Sequence, residues 1–370
     1  MDRSISKKQS QILQAIAVLM MLFHHFFTKP DNLTLLHFFN AETCMRLAWL
    51  CKLCVATFAF ISGYGMNSGC DSGSLPDLKK LYRKAGVRIL KLYTIAWLML
   101  IFFKAGEYIF LGNAPSAMEF ILNATGLFYT YNGSWWYIFF YVLLCLFFPL
   151  IRIFLTRVIS VKRKLLLAAV IAAAVGLFYL LGQFLFYPYL ATAFLYLIVA
   201  LHPPILLAYI AGICVSEFGI YDRLLEIVEP WERGSFCRLF LINFLMPVIV
   251  IGLGCTVRIF LADSAAYCRI DCILVPIFVL CFILLCKYLR ALPAGIKKGL
   301  EGVFLFFGKY STGIWLSHVL VMGYSYEFIA RLTRFVLPFY LAEVILSLIC
   351  SVLISSIAGA VYGLAGSRQK

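Results

Sequence analysis

The chain has 370 residues, 63% of them hydrophobic and only 13% charged. A water-soluble protein of this size has no interior large enough to hide so much apolar side chain, so the composition excludes a soluble enzyme and points to the bilayer. The formal charge of +15 does not indicate a nucleic-acid binder, because the basic residues cluster in loops between apolar stretches, where anionic lipid is their ordinary neighbour.

Stretches of about 18 or more apolar residues read as membrane-spanning helices. About ten occur, at 11–28, 48–66, 88–111, 135–155, 165–186, 192–215, 237–258, 270–289, 302–325 and 335–364. The expected fold is all-α: a polytopic membrane helix bundle forming one integral-membrane domain over 1–370. No internal repeat, low-complexity tract or soluble domain is left over.

The N-terminal MDRSISKKQ is short and basic and leads into the first apolar run, QILQAIAVLMMLFHHFFT. No small-x-small cleavage site follows, so a retained first helix is expected rather than a removed signal. This span carries adjacent histidines, His24 and His25. Ionisable groups at membrane depth are costly and mark functional sites by default, and an imidazole exchanges protons near neutral pH. Gln14 precedes His25 by eleven positions, close to three full turns, so the two share a helix face roughly 16 Å apart. His24 points about 100° away, so one histidine can face a cavity while the other braces it. The alternative is an inert, hydrogen-bonded pair at the membrane interface.

The second span begins at Cys51-x-x-Cys54 and ends FAFISGYGMN. The remainder of the 13 cysteines are mostly scattered inside apolar segments with no second pair at metal spacing, so they read as small buried hydrophobes and no metal site is expected. Ser62-Gly63 indicates a tight helix approach or a break, although small residues also simply pack membrane helices. Then comes LKKLYRKAGVRILKLY, in which Arg88 and Lys91 lie one turn apart at the start of the third span. Such a pair can hold phosphates, or serve as an ordinary positive-inside flank.

The stretch 112–134 contains no Lys or Arg, and GLFYTYNGSWWYIFF is aromatic. Tyr129, Tyr131, Trp135 and Trp136 are expected at the outer interface, as an aromatic belt or as a platform for sugar rings. Basic residues concentrate on alternate connections, from Arg3, Lys7 and Lys8 to Lys79–Lys91, Arg152–Lys164 and Lys287–Lys298. That asymmetry predicts both termini in the cytoplasm and an even number of spans. Pro188, Pro203 and Pro204 predict a broken start to the sixth span. In the ninth, GKYSTGIWLSHVLV, the polar residues Lys309, Tyr310, Ser311 and His318 interrupt an apolar helix. His318 is either a second functional histidine or one satisfied by a neighbouring helix. No P-loop, G-x-S-x-G, H-E-x-x-H or dinucleotide fingerprint occurs.

Taken together, ILQAIAVLMMLFHHF, FAFISGYGM, VRILKLY, SWWYIFFYVLLCLFFPLI and GKYSTGIWLSHVLV, in this order and spacing, resemble the membrane acyltransferase 3 family. Its members O-acylate bacterial surface glycans and other extracytoplasmic acceptors. The resemblance implies a bacterial protein of the inner (plasma) membrane that uses acyl-CoA, and acetyl-CoA foremost, as donor substrate. It implies a surface glycan or lipid-linked sugar as acceptor, membrane lipid as surroundings and glycan-assembly proteins as partners. The family signature, a basic residue, ten residues and then histidine, maps its histidine to His25 and its basic position to Gln14, a departure that removes a charge. Lys8 and Arg88 are the cations that could take its place. The R-x-x-R element corresponds to Arg88-x-x-Lys91, the serine-glycine element to Ser62-Gly63, and the late-helix histidine to His318.

The reading that follows has His25 as general base or acyl carrier, with His24 and His318 as further catalytic groups. Arg88, Lys91, Gln14 and Ser62 lie on the donor side, and Trp135, Trp136, Tyr310 and Ser311 on the acceptor side. Two rivals use the same polar cavity: an exporter of a glycan or lipid intermediate, and an inactive relative acting as partner in a glycan assembly complex.

Overall fold

A computed structural model describes residues 5–29, 32, 40–70, 77–157, 203–232, 235–261, 270–289 and 293–367. These residues are almost wholly helical, as the bilayer requires: without water, backbone N–H and C=O groups must pair within the segment that carries them. In chain order the helices are α1 (Lys7–Phe27), α2 (Ala41–Cys51), α3 (Cys54–Asn67), α4 (Leu78–Leu111), α5 (Ala117–Ala124) and α6 (Trp136–Arg157). They continue with α7 (Pro203–Phe218), α8 (Ile220–Glu232), α9 (Phe236–Phe240), α10 (Met246–Phe260), α11 (Asp271–Leu289), α12 (Ala294–Leu332) and α13 (Val336–Ser367). A single π turn, Leu241–Leu245, joins α9 to α10 just ahead of Pro247.

Among the described residues, seven stretches are long and apolar enough to span a membrane: Lys7–Phe27, Ala41–Asn67, Leu78–Leu111, Gly133–Leu155, Phe236–Phe260, Asp271–Leu289 and Val336–Tyr362. They coincide with seven of the ten expected spans. The expected fifth span, 165–186, and the start of the sixth lie outside the described residues. The rest of the sixth belongs to a pair bent by 62°, Pro204–Phe218 and Ile220–Glu232, which would make an eighth span. Pro203 opens α7, in keeping with its tolerance for the first helical turn. The expected ninth span lies within α12, a 39-residue helix that is not among the seven. Lys309 and His318 keep even its most apolar stretch too polar to qualify.

The chain divides into two compact units, one of Met1–Ala17, Leu53–Leu81 and Phe147–Val303, the other of Val18–Lys52, Tyr82–Leu146 and Phe304–Lys370. The first unit is organised by α3 against α7. A Cβ on Gly63 would lie 2.1 Å from the Tyr209 carbonyl oxygen, and one on Gly212 would lie 2.1 Å from that of Phe60. The two glycines therefore face each other across a backbone-to-backbone crossing, which is why the serine-glycine element needs its glycine. Gly63→Ala is expected to force the helices apart and cost about 2 kcal/mol, with Gly63→Val costing more. The loss should be read as a lower Tm of the detergent-solubilised protein, and an unchanged Tm would contradict the crossing.

Two buried ion pairs tie this unit together. Arg152 of α6 and Glu217 of α7, 0% and 2% exposed at their side chains, are ion-paired. Arg152 Nη1 also donates to Asn67 Oδ1 at 2.7 Å, and Asn67 Nδ2 donates to Glu217 Oε2 at 3.1 Å. Arg258 grips Asp271 in a bidentate fork, Nε to Oδ1 at 2.7 Å and Nη2 to Oδ2 at 2.9 Å, joining the end of α10 to the start of α11.

The second unit packs α4, α6, α12 and α13 around Leu92, Met99, Trp135, Ile138, Leu316, Leu320 and Ile354. Here too a glycine allows close approach: a Cβ on Gly313 would meet Ser351 Oγ at 2.1 Å, and that hydroxyl donates to the Tyr310 carbonyl at 2.8 Å.

Candidate active site

Three histidines meet in the second unit. α1 delivers His24 and His25 in its last turn, and α12 delivers His318. The ring centroid of His25 lies 5.1 Å from that of His24 and 4.8 Å from that of His318. The end of α1 is held shut locally: Thr28 Oγ1 donates to the His24 carbonyl at 2.7 Å, and Asn32 Nδ2 to the Phe26 carbonyl at 2.7 Å.

The three imidazoles are held very differently. His24 is buried, with Nδ1 2.7 Å from the Ala48 carbonyl of α2 and its ring edge-on to Trp49 at 5.5 Å. A carbonyl only accepts, so His24 Nδ1 carries the hydrogen and the ring is committed to bracing α2. His318 is fully buried, its Nδ1 2.7 Å from the Trp315 carbonyl and 3.2 Å from that of Ile314. By the same reasoning Nδ1 carries the hydrogen, and Nε2 presents a lone pair. That Nε2 is buried and has no hydrogen-bond partner among the described residues. His25, between them, is half-buried, and no described residue hydrogen-bonds its ring. The arrangement is one fixed imidazole, one fixed acceptor and one unengaged imidazole: a site able to take a proton from a hydroxyl and hold it.

The segment before α6 fixes the height of His318. Asn132 Nδ2 and Trp135 Nε1 both donate to the Leu316 carbonyl, each at 2.9 Å, the carbonyl next in sequence to the two that hold the imidazole. Trp135 is therefore not the interfacial residue expected from the aromatic pattern: it is 1% exposed, with its N–H committed to α12. Burial of the ring in the core outweighs its affinity for the interface once a partner for the indole N–H is supplied. Trp136 is half-buried and keeps more of its surface. Trp135→Phe should keep the packing and lose one buried hydrogen bond, costing about 1–2 kcal/mol, whereas Trp135→Ala should cost about 3–5 kcal/mol. Chemical-denaturation midpoints of the two variants would check this order.

The other expected site residues fall as follows. Ser311 lies two turns before His318 on α12, buried, with its hydroxyl 3.0 Å from the Gly308 carbonyl. Tyr310 is half-buried beside Phe306, their centroids 5.1 Å apart. Arg88 is half-buried on α4, while Lys91 is exposed. Gln14 and Ser62 are half-buried on α1 and α3 and are grouped with the first unit.

The sequence reading passed over Trp49, Lys52, Asn132 and the buried Glu343, whose Oε1 lies 2.9 Å from Ser325 Oγ. Glu343 carried a readable signal, an acid inside an apolar run. Trp49 and Asn132 carried none. No disulfide joins the described cysteines, and among the described residues no group of three His, Cys, Asp or Glu is arranged to hold a metal ion.

The acyltransferase 3 family model, described as an acyltransferase domain, matches residues 8–356. Neither a search of curated proteins nor one of solved structures returns a match. The match covers nearly the whole chain, from α1 through most of α13, including all three histidines. The chain belongs to the acyltransferase 3 family of integral-membrane acyltransferases.

Proposed function

We propose that this acyltransferase moves an acyl group, acetyl in the simplest case, from cytoplasmic acyl-CoA to a hydroxyl of an extracytoplasmic glycan or lipid-linked sugar. The observation that carries this reading is the His25 imidazole beside the Nε2 of His318, neither of them hydrogen-bonded by any of the described residues. In the step envisaged, the acceptor oxygen forms the new ester bond as the thioester C–S bond breaks. The hydroxyl proton passes to His25 and is then returned to the departing sulfur. His24 holds its neighbour in place through α2, and the lone pair on His318 Nε2 can share the proton. An acyl-imidazole on His25 would give the same products in two steps. With the N-terminus in the cytoplasm, Arg88 and Lys91 lie toward the donor side and would hold CoA phosphates. Trp136 is the aromatic with surface left for a sugar ring.

The test is the mass of surface glycans from bacterial cells expressing the protein, beside cells expressing His25→Ala at matched membrane levels. An acetyl-sized increment that alkali removes, present only with the intact histidine, is the expected result. Identical glycans in both would favour the reading of an inactive partner in glycan assembly, toward which Gln14 in place of a basic residue points.

A further inference from the structure

A groove opens on the surface of the second unit where α4, α12 and α13 meet. It encloses about 590 Å3, a volume in the range of small-molecule sites. Its floor includes Val321 and Ile354, which are buried, and its rims include Phe102, Phe328, Ile349 and Leu353, which are exposed at membrane depth. One wall is fixed by more than apolar contact. The Tyr324 ring stacks on Phe103, with centroids 5.6 Å apart and planes 16° from parallel, and its hydroxyl donates to Glu107 Oε2 at 2.8 Å. Lys104 Nζ holds the same carboxylate oxygen at 2.6 Å. The groove is thus preformed, not a seam that closes when lipid leaves.

Its polarity is uneven. The hydroxyls of the lining, Tyr324 and Ser325, both belong to α12, and Ser325 Oγ lies 2.7 Å from the Val321 carbonyl and 2.9 Å from Glu343 Oε1. Along α13 the lining runs from Leu346 to Ile357 and is apolar except for Cys350. Those eleven residues cover roughly 16 Å, about half the ~30 Å hydrocarbon core of a bilayer. With the N-terminus in the cytoplasm, α4 ends and α13 begins at the outer face. The hydroxyl-bearing end of the groove then points outward and the apolar end points to the bilayer centre, the polarity of a lipid in the outer leaflet. The donor's cationic residue Arg88 lies fifteen residues before Phe103 on α4, roughly 22 Å away toward the cytoplasm. The groove is also continuous with the histidine site, since Val321 stands one turn beyond His318 on α12.

We propose that this groove holds the hydrocarbon tail of a lipid-linked sugar in the outer leaflet, so that the acceptor is presented to the histidines by its own lipid. This deepens the transferase reading and rests on it: of the two acceptor classes, free glycan and lipid-linked sugar, the groove selects the second. The tail takes no part in bond making, and the hydroxyl, the thioester and His25 exchange acyl group and proton as written above. Within a bilayer the tail gains no hydrophobic free energy by entering, so recognition comes from packing against a fixed wall, and what it supplies is position.

The experiment uses the full chain in proteoliposomes, with a polyprenyl phosphoglucose that carries a diazirine in its chain. After illumination, peptide mass spectrometry should place the label on 346–357 and on the Phe102–Phe103 peptide. Excess unlabelled polyprenyl phosphoglucose should displace it, and equal phosphatidylglycerol or palmitoyl-CoA should not. Ile349→Trp with Leu353→Trp fills the groove from its rim and should lower labelling about tenfold. Ile345→Trp, on the same exposed stripe of α13 but outside the groove, should leave it unchanged. Acetyl transfer from acetyl-CoA is followed in parallel. The filled variant should lose about tenfold in kcat/KM toward the lipid-linked sugar while transfer to methyl glucoside stays as in the wild type.

Label on other helices, or label displaced equally by phosphatidylglycerol or palmitoyl-CoA, overturns the groove without recourse to any variant. So does undiminished transfer to the lipid-linked sugar in the filled variant. Specific labelling of the groove with no transfer to either acceptor leaves the groove standing and overturns the transferase reading instead.

Discussion

Membranes carrying His25→Ala are expected to lose acyl transfer by about a thousandfold or more, the scale on which general-base catalysis operates, with the donor KM little changed. The graded result lies in the other two histidines. His318→Asn can place a donor toward the Trp315 and Ile314 carbonyls as Nδ1–H does, but it has no acceptor where Nε2 stands. It should fold, keep the donor KM, and lose about ten- to a hundredfold in kcat. His24→Phe removes the bond to the Ala48 carbonyl at 2.7 Å and should act through stability first, with transfer falling only as far as His25 is displaced. Turnover of radiolabelled acetyl-CoA in vesicles, normalised to folded protein, separates these cases. Equal losses at His24 and His25 would sink the division into a brace and a base.

Breaking the Arg152–Glu217 pair is the change expected to cost most in stability. Arg152→Met leaves Glu217 as a carboxylate with 2% of its side chain exposed and the Asn67 amide as its hydrogen-bond donor among the described residues. An uncompensated buried charge of this kind costs about 3–5 kcal/mol. Glu217→Gln alone takes the counter-charge from a buried guanidinium that keeps its bond to Asn67 Oδ1. The double variant Arg152→Met with Glu217→Gln removes both charges and should recover more than half of the loss, because the penalty belongs to the orphaned partner and not to the missing attraction. Thermal unfolding of the solubilised chain reads both numbers. A double variant as unstable as the worse single one would mean that the hydrogen-bonded geometry around Asn67, rather than the charge pair, holds α3, α6 and α7 together.

Much of the fold was legible because hydropathy is a local property. Seven apolar runs became apolar helices near their expected limits, since a bilayer leaves an apolar segment little choice but a helix. Boundaries moved where charge and amphipathicity extend a helix beyond its apolar part: α4 starts at Leu78 rather than 88, and α12 runs from Ala294 to Leu332 rather than over 302–325. The break between α2 and α3, with Cys51 ending one and Cys54 starting the other, lies inside what reads as one continuous span. No proline or glycine marks it, and hydropathy is blind to a short interruption of the helix.

By itself the sequence determined that the protein is a helical membrane acyltransferase. Apolar length dictates helices, and costly histidines at depth dictate where to look. Eleven residues at 100° each dictate that Gln14 and His25 share a face. What the tertiary structure decided is which polar group is already spent. His24 and His25 are adjacent and chemically identical, and the difference between a brace and an unengaged imidazole comes from the Ala48 carbonyl, 24 residues away. Trp135 reads as interfacial until the Leu316 carbonyl, 181 residues on, takes its N–H and draws it into the core. Gly63 reads as either a tight helix approach or a break until the Tyr209 backbone shows that it is a point of contact. In each case the deciding atom is a backbone oxygen on another helix. Every residue carries such an oxygen, so no sequence pattern announces which one will be near.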